Sequence, residues 1–307
     1  MANTWASVAG IPSALTPDTM ILLTDGSLFV HSAGGKAFYR LAPDDQGRYE
    51  SGTWTGPFNM ANTRQFFASG VLMDGRVFAI GGEYSDAGNA TPLGEIFDPV
   101  TNLWSPLTKP AAFNFINSDA VSCVLPDGRV LFGAPGGPRT AIWDPVIDLW
   151  TEAGLAFGAS ATPTKTGNTN EESWALLPDG TVLTVEVFNA PAAEKYVPST
   201  DRWVSAGSTP GNLPLSTLND PVTNTTINIK EIGPGLTLPD GRCFFVGGTG
   251  RTALYTQPAA PGQPGTWAAG PNLPADTTTN NYNQVNGNLQ TAIDAPGTLL
   301  PNGKVLL

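Results

Sequence analysis

Polar side chains recur at a fixed distance before a repeated turn dipeptide. From residue 74 onward, each Asp-Gly or Asn-Gly pair follows a carboxylate or amide side chain by eight or nine residues. The residues at these positions are Gln65, Asp119, Glu171, Glu231 and Asp294, and Arg64 and Glu172 stand next to two of them. Oxygen ligands of this kind hold hard cations or accept hydrogen bonds from sugar hydroxyls. The spacing therefore predicts a ligand-binding rim built from several repeats. An ordinary set of solvated surface charges is the alternative.

The same carboxylates raise the question of catalysis. Glycoside hydrolysis uses two carboxyl groups about 5–10 Å apart, and the one that acts as the acid has a raised pKa. Asp119 and Glu171 are the two residues whose amide variants would test that chemistry. Tyr84 lies just after a Gly-Gly pair, where its ring is available to a ligand. Two functions stay open: binding of a protein or glycan ligand without catalysis, and a carbohydrate-active enzyme that uses the rim carboxylates.

Residue counts exclude several other chemistries. The chain has one histidine, His31, so a Ser-His-Asp triad would depend on it, and a zinc site would need Cys123 and Cys243 from other repeats. We expect a buried strand position for His31 and small apolar roles for both cysteines. No nucleotide-binding motif or EF-hand loop is present, so no cofactor is predicted, although calcium is compatible with the rim. The net charge of −11 opposes binding to nucleic acid.

Turn dipeptides divide the chain into repeats of about fifty to sixty residues. They are Asp25-Gly26, Asp74-Gly75, Asp127-Gly128, Asp179-Gly180, Asp240-Gly241 and Asn302-Gly303. Each lies between an apolar run and an alternating run, which is the strongest short-range signal for a β-hairpin. Tryptophans at positions 54, 104, 150, 203 and 267 mark a second hairpin in each repeat. The sequence therefore predicts four short strands per repeat and no helix.

These repeats resemble the kelch repeat of the galactose-oxidase-like propeller superfamily. The family shows a Gly-Gly pair after the second strand, an aromatic-Asp-Pro turn and a tryptophan in the outer strand. Here Gly81-Gly82 and Gly247-Gly248 match the pair and Phe97-Asp98-Pro99 matches the turn, whereas Glu186-Val187 replaces the pair in the fourth repeat. The resemblance implies an all-β, kelch-type β-propeller of four-stranded antiparallel blades, each of which buries its faces against its neighbours.

The resemblance extends to bacterial kelch repeat-containing proteins, which are often secreted. It implies a protein or glycan ligand but fixes no activity, because one fold carries many functions. Galactose oxidase relatives hold copper with two histidines, two tyrosines and a Tyr–Cys crosslink, a set that one histidine cannot supply. The first twenty residues lack the pattern of a signal peptide, and no apolar run is long enough to span a membrane. Localisation therefore stays undetermined.

We predict a single domain over residues 1–307, with five complete blades and a partial sixth. The blades are expected at about 9–54, 62–104, 113–150, 168–203, 228–267 and 289–307, with an outer strand at 3–8. The chain ends within an apolar strand, so we expect a C-terminally truncated seven-bladed ring. Closure of a six-bladed ring by residues 3–8 is the alternative. Segments 206–228 and 275–288 are expected to be loose loops, which either belong to a binding face or are solvent loops without a function.

Overall fold

The computed structural model describes residues 8–156, 162–220, 225–260 and 263–274, together with 292–293, 295, 297–299, 303 and 305–306. Within these ranges the regular structure is β-strand, apart from one turn of 3₁₀ helix at Ala111–Phe113. The chain divides into two compact units, Met1–Ala120 and Val121–Leu307, and each is described by itself. The all-β fold class predicted from the sequence is confirmed.

The first unit contains two four-stranded antiparallel sheets, or blades. Blade 1 consists of β1 (Pro17–Leu22), β2 (Leu28–Ser32), β3 (Ala37–Ala42) and β4 (Thr53–Asn59). Blade 2 consists of β5 (Ala68–Val71), β6 (Val77–Ile80), β7 (Gly94–Asp98) and β8 (Leu103–Leu107). Each strand pairs with the next along the chain. Each blade therefore consists of two consecutive hairpins, joined by the pairing of its second and third strands.

The turn dipeptides form the first hairpin of each blade for a local reason. At Asp74-Gly75 the glycine has φ 88°, a left-handed conformation that is inexpensive only for glycine. The Asp74 carboxylate accepts a hydrogen bond of 3.0 Å from the backbone N–H of Arg76. The other four Asp-Gly pairs make the same bond to the residue two positions on. Residues close in sequence therefore fix the turn, which is why the sequence reveals it.

Stacked aromatic rings hold the two blades of the first unit together. The ring of Phe29 in blade 1 lies 4.5 Å from Phe38 and 4.4 Å from Phe97 of blade 2, measured between centroids. Trp104 packs on Phe97 at 5.3 Å. Phe29, Phe38 and Phe97 are fully buried. Each of these rings therefore contributes about 2–3 kcal/mol of burial free energy that a single blade would not recover.

The second unit contains three larger sheets and a short hairpin. Blade 3 consists of β9 (Ser122–Val124), β10 (Val130–Gly133), β11 (Thr140–Asp144) and β12 (Leu149–Ala153). Blade 4 consists of β13 (Trp174–Leu176), β14 (Val182–Val185), β15 (Ala192–Val197) and β16 (Arg202–Ser208). Blade 5 consists of β17 (Leu215–Asp220), β18 (Thr225–Thr237), β19 (Cys243–Gly247), β20 (Thr252–Thr256) and β21 (Thr266–Ala269). The hairpin consists of β22 (Thr298–Leu299) and β23 (Val305–Leu306).

The tryptophans of the second hairpins tie neighbouring blades together in this unit. Trp203 of blade 4 donates its indole N–H to Thr140 of blade 3, with 3.4 Å between the heavy atoms. Trp267 of blade 5 donates to the backbone carbonyl of Ala206 in blade 4 at 2.9 Å. Each indole thus satisfies its polar N–H while burying its ring against the preceding blade.

Several sequence predictions have an outcome in the described residues. His31 lies in β2 with its side chain fully buried, as predicted, and its Nε2 lies 3.1 Å from the carbonyl oxygen of Gly35. Cys243 is fully buried and Cys123 partly so, and both thiols are free. The prediction that residues 206–228 form a loop is wrong for β17 and the start of β18. These two segments pair as an antiparallel hairpin, which gives blade 5 its extra strand. Segments 3–7 and 275–288 lie outside the described residues.

Candidate functional site

Two chain segments of the first unit pair outside the regular strands and carry the predicted site residues. The N–H of Gln65 donates to the carbonyl of Glu83 at 3.0 Å, and the N–H of Glu83 donates back to Gln65 at 2.8 Å. Phe66 and Tyr84 are the residues that follow the two members of this antiparallel bridge. Gln65 is half-buried.

Phe66 and Tyr84 form an exposed aromatic corner. Tyr84 is 59% exposed and Phe66 37% exposed, and their ring centroids lie 6.3 Å apart with planes at 66°. Both residues have left-handed backbones, with φ of 51° and 54°. Bulky side chains avoid that region, and such conformations cost of order 1 kcal/mol or more each. Two strained, solvent-facing rings in edge-to-face contact are the arrangement of a binding surface held in a defined shape.

A buried ion pair anchors this corner from below. Arg64 is 0% exposed, and its guanidinium donates to Glu95 Oε1 at 2.8 Å. It also donates to the backbone carbonyls of Gly81 at 3.1 Å and Leu93 at 2.9 Å. Arg64 was expected on a solvent-facing rim. The structure instead turns it inward, because its planar set of donors satisfies three acceptors at once.

Side-chain hydrogen bonds fix the two segments further. The N–H of Thr63 donates to Asp86 Oδ1 at 3.0 Å, and the N–H of Asp86 donates to Thr63 Oγ1 at 2.9 Å. The hydroxyl of Ser118 donates to the Glu83 carboxylate. At Gly82 a Cβ would lie 2.9 Å from Arg64 Cβ, so only glycine lets the chains approach this closely. The corner is therefore preorganised before any ligand arrives.

The remaining predicted rim residues divide between the two units. Asp119 is half-buried in the first unit. In the second unit Glu171 is half-buried, has φ 59° and accepts a hydrogen bond of 2.9 Å from Asn170 Nδ2, and Glu231 is half-buried in β18. Asp294 lies outside the described residues. Each unit thus contributes partly accessible acidic side chains, and their role in ligand binding stays a prediction.

Glu172 departs from the rim expectation because it belongs to a buried ion cluster in blade 4. The ammonium of Lys165 donates to Glu172 at 2.9 Å, to Glu194 at 3.2 Å and to Glu186. Glu172 Oε2 also accepts a bond of 2.9 Å from the indole N–H of Trp174. Each of the four charged residues is less than 10% exposed to solvent. One ammonium thus faces three carboxyl groups away from solvent, which requires that the cluster keep a proton.

Of the three carboxyl groups, Glu186 is the one whose surroundings most favour the protonated form. Burial raises the pKa of Glu186 to about 9, and the adjacent Glu172 carboxylate and the hydrogen bond with Glu194 act in the same direction. Burial also raises the pKa of Glu172, although Lys165 opposes it. For Glu194 burial is outweighed by the hydrogen bond with Glu186 and by Lys165, so its pKa is lowered. These opposite shifts favour the protonated form at Glu186 and the charged form at Glu194.

We expect this proton to make the stability depend on pH above the acid range. The folded state holds the Glu186 proton that the unfolded chain releases near pH 4.3, so the free energy of unfolding falls as pH rises from there toward 9. Glu186→Gln mimics the protonated form and removes this dependence. Urea unfolding at pH 5 and pH 9 should show the variant gaining about 1–3 kcal/mol over the wild type at the higher pH.

The variant Glu152→Gln serves as the control, because Glu152 is an exposed carboxylate in the same unit. Its difference from the wild type should be equal at the two pH values. A Glu186→Gln variant whose stability tracks the wild type at both would contradict the assignment of the proton.

Sequence reasoning missed Glu95, Glu194, Lys165 and the role of Glu186. Glu95 and Glu194 each stand two residues before the aromatic of the third strand, at Phe97 and Tyr196. A charge at this inward-facing position is a usable signal, because a buried carboxylate requires a partner. Glu186 also carried a signal, since it replaces the first glycine of the Gly-Gly pair. The partners themselves lie on other hairpins, so no local pattern identifies them.

Comparison with known proteins agrees with this architecture. Residues 66–111 match the model of the Kelch motif family. This segment spans blade 2 with its outer tryptophan, its Gly-Gly pair and the Asp-Pro turn. The chain has the fold of a kelch-repeat β-propeller. No curated protein matches the chain.

Solved structures resemble this kelch propeller at low sequence identity. The match to virginiamycin B lyase from Staphylococcus aureus covers 96% of the present chain and 84% of the lyase chain, with a TM-score of 0.56 and 14% sequence identity. The match to the structure of YjhT covers 85% of the present chain and 99% of the YjhT chain, with a TM-score of 0.53 and 12% sequence identity. Both likenesses show the fold alone.

A third structure shares less with this kelch propeller. A fungal alcohol oxidase of the AA5 family, in complex with copper, covers 76% of the chain at 19% identity and a TM-score of 0.43. The chain spans 58% of that oxidase. This likeness carries no argument about the present protein.

Among the residues that the structure describes, no group of three or more His, Cys, Asp or Glu side chains is arranged to hold a metal ion. In the same ranges, no helix has the length and apolar character needed to cross a membrane. Calcium binding at the rim stays a prediction.

Proposed function

We propose that this kelch propeller is a non-catalytic binding module, and that the corner of Phe66 and Tyr84 receives a protein or glycan ligand. Kelch propellers generally mediate binding. The observation that carries the proposal is the pair of exposed rings with left-handed backbones, because nothing in the fold requires an aromatic side chain at either position.

The support around the corner favours recognition of a ligand. The two segments are fixed by the buried hydrogen bonds of Arg64 and by the reciprocal bonds between Thr63 and Asp86. Gly82 allows their close approach. Preorganised surfaces bind more tightly because less conformational entropy is lost on association. Glu172, one of the residues predicted on the binding rim, is enclosed in an ion pair with Lys165. The enzyme alternative stays a prediction without an observation that favours it.

The proposal is tested by removing one ring without disturbing the fold. Tyr84→Gly deletes the side chain and relieves the left-handed strain, so the thermal midpoint should equal or exceed that of the wild type. The wild-type chain is used to select from a random displayed peptide library and to probe a glycan array. We expect ligands whose binding falls about tenfold or more in Tyr84→Gly, as for the loss of a buried aromatic contact.

A matched control keeps that test specific. Val100 is 87% exposed on the outer turn of blade 2, in the same unit, so Val100→Ala removes an apolar side chain away from the corner. Binding should be unchanged in this variant. If neither the library nor the array yields a ligand, or if Tyr84→Gly binds every ligand as the wild type does, the proposed surface is wrong.

A further inference from the structure

The aromatic corner lies in an acidic setting. The loop between β6 and β7 carries two carboxylates, Glu83 and Asp86, and no basic residue between Gly81 and Leu93. Arg64, the basic residue beneath it, is neutralised by Glu95 and enclosed. Residues 1–120 contain eleven acidic and six basic side chains, within a chain of net charge −11. A cation approaching the corner is therefore attracted at long range as well as on contact.

The polar groups beside the rings also differ from those of a sugar site. Glu83 and Asp86 each use one oxygen internally, on Ser118 and on Thr63. Carboxylates are acceptors only, and the side chains that match them best are donors only. Arginine and lysine are of this kind, whereas sugar hydroxyls both donate and accept and gain more from mixed amide and hydroxyl partners.

The ring geometry suits the same class of ligand. Planes at 66° with centroids 6.3 Å apart present the face of one ring beside the edge of the other. A guanidinium or ammonium group on the exposed face of Tyr84 is attracted by the ring quadrupole, and arginine adds planar stacking. Such contacts are worth most where the aromatic ring is held rigidly, as it is here by the Gln65–Glu83 bridge.

We propose that the Phe66–Tyr84 corner binds an arginine or lysine side chain of a protein partner, with Glu83 and Asp86 supplying the charge. This inference rests on the binding function proposed above and specifies its ligand. The partner is thus a protein with an exposed basic segment. A neutral glycan that stacks on the rings is the competing occupant.

The test uses four probes on the intact chain at about 0.15 M salt, where weak nonspecific attraction is screened. They are tetra-arginine, tetra-lysine, tetra-glutamate and the neutral sugar cellotetraose. NMR of ¹³C-labelled tyrosine rings follows Tyr84 during each titration. We expect tetra-arginine and tetra-lysine to shift the Tyr84 signal, and tetra-glutamate and cellotetraose to leave it unchanged.

Three variants assign the attraction to the corner. Tyr84→Gly should weaken tetra-arginine binding about 2- to 30-fold, the range expected for a cation–π contact. Asp86→Asn removes a charge while keeping the oxygen that accepts from Thr63, and should weaken binding several-fold. Phe188→Ala is the control, because Phe188 is a 45% exposed aromatic in the other unit, and its binding should be unchanged.

The outcomes separate this inference from the binding function itself. A shift of Tyr84 by cellotetraose without one by tetra-arginine would overturn the basic partner and leave the binding surface intact. Tetra-arginine binding that Tyr84→Gly leaves unchanged would reflect general acidity and would also overturn the inference. If all four probes and the peptide library fail, the binding function falls with it.

Discussion

Replacing Lys165 by methionine is expected to lower the free energy of unfolding by about 3–5 kcal/mol. The methionine keeps the aliphatic volume but removes the only ammonium that contacts Glu172, Glu186 and Glu194 in the described structure. The carboxylates that remain charged then lie in a low-dielectric interior without a counter-ion. Breaking a buried pair from one side costs far more than the pair contributes, because the remaining charge cannot recover its hydration. Urea unfolding at pH 7 measures the difference.

Lys36→Met is the matched control for this substitution. Lys36 is exposed, so the same chemical change should alter the free energy of unfolding by less than about 0.5 kcal/mol. The Lys165→Met loss should also shrink at pH 5, where the remaining carboxyl groups take up protons. A loss below about 1 kcal/mol at pH 7 would contradict the view that Lys165 neutralises the cluster.

The blades were predictable because their signals are local. An Asp-Gly pair forms its turn with a bond to the residue two positions on, as Asp74 does with Arg76. The tryptophan and the aromatic seven residues before it, such as Phe97 and Trp104, face each other across one hairpin. Such contacts depend on a few neighbouring residues, so a single sequence displays them. The hairpin of β17 and β18 was missed, because its threonines and asparagines are equally typical of loops.

The candidate site was predictable in position but not in orientation. Counting back from Asp74-Gly75 leads to the segment of blade 2 that carries Arg64 and Gln65, and the binding role of this segment stays a prediction. However, Phe66, Ser118 and Glu171, which stand two to four residues before β5, β9 and β13, have left-handed backbones with φ of 54°, 44° and 59°. This turn points consecutive side chains in different directions, so Arg64 faces inward and Phe66 outward. The partner that holds Arg64, Glu95, comes from a different hairpin.

The two buried clusters show how one position of the repeat is varied. In blade 2 Glu95 accepts from Arg64 and from the N–H of Ala61, at 2.7 Å. In blade 4 Glu194 accepts from Lys165 and from the N–H of Thr166, at 3.1 Å. Lysine offers fewer fixed donors than arginine, and the extra carboxyl groups of blade 4 occupy the space around it. The same carboxylate thus ties the third strand to the preceding segment in both blades.

Replacing Arg64 by methionine is expected to lower the free energy of unfolding by about 3–5 kcal/mol and to disorganise the aromatic corner. The change leaves the Glu95 carboxylate buried without its cation and frees the carbonyls of Gly81 and Leu93. Arg64→Lys should lose less, because one ammonium can still pair with Glu95 but cannot reach all three acceptors. Urea unfolding at pH 7 gives the stability, and the ring signals of Tyr84 report the corner.

The double variant Arg64→Met, Glu95→Met separates charge from packing. It removes both charges together, so it should recover most of the stability that Arg64→Met loses, since buried pairs replaced by apolar residues are close to neutral. The ring signals of Tyr84 should nevertheless stay altered, because the bonds that hold Gly81 and Leu93 are still absent. Recovery of both stability and ring signals would mean that Arg64 balances Glu95 without positioning the corner. If Arg64→Met kept both the wild-type stability and the wild-type ring signals of Tyr84, Arg64 would neither balance Glu95 nor position the corner.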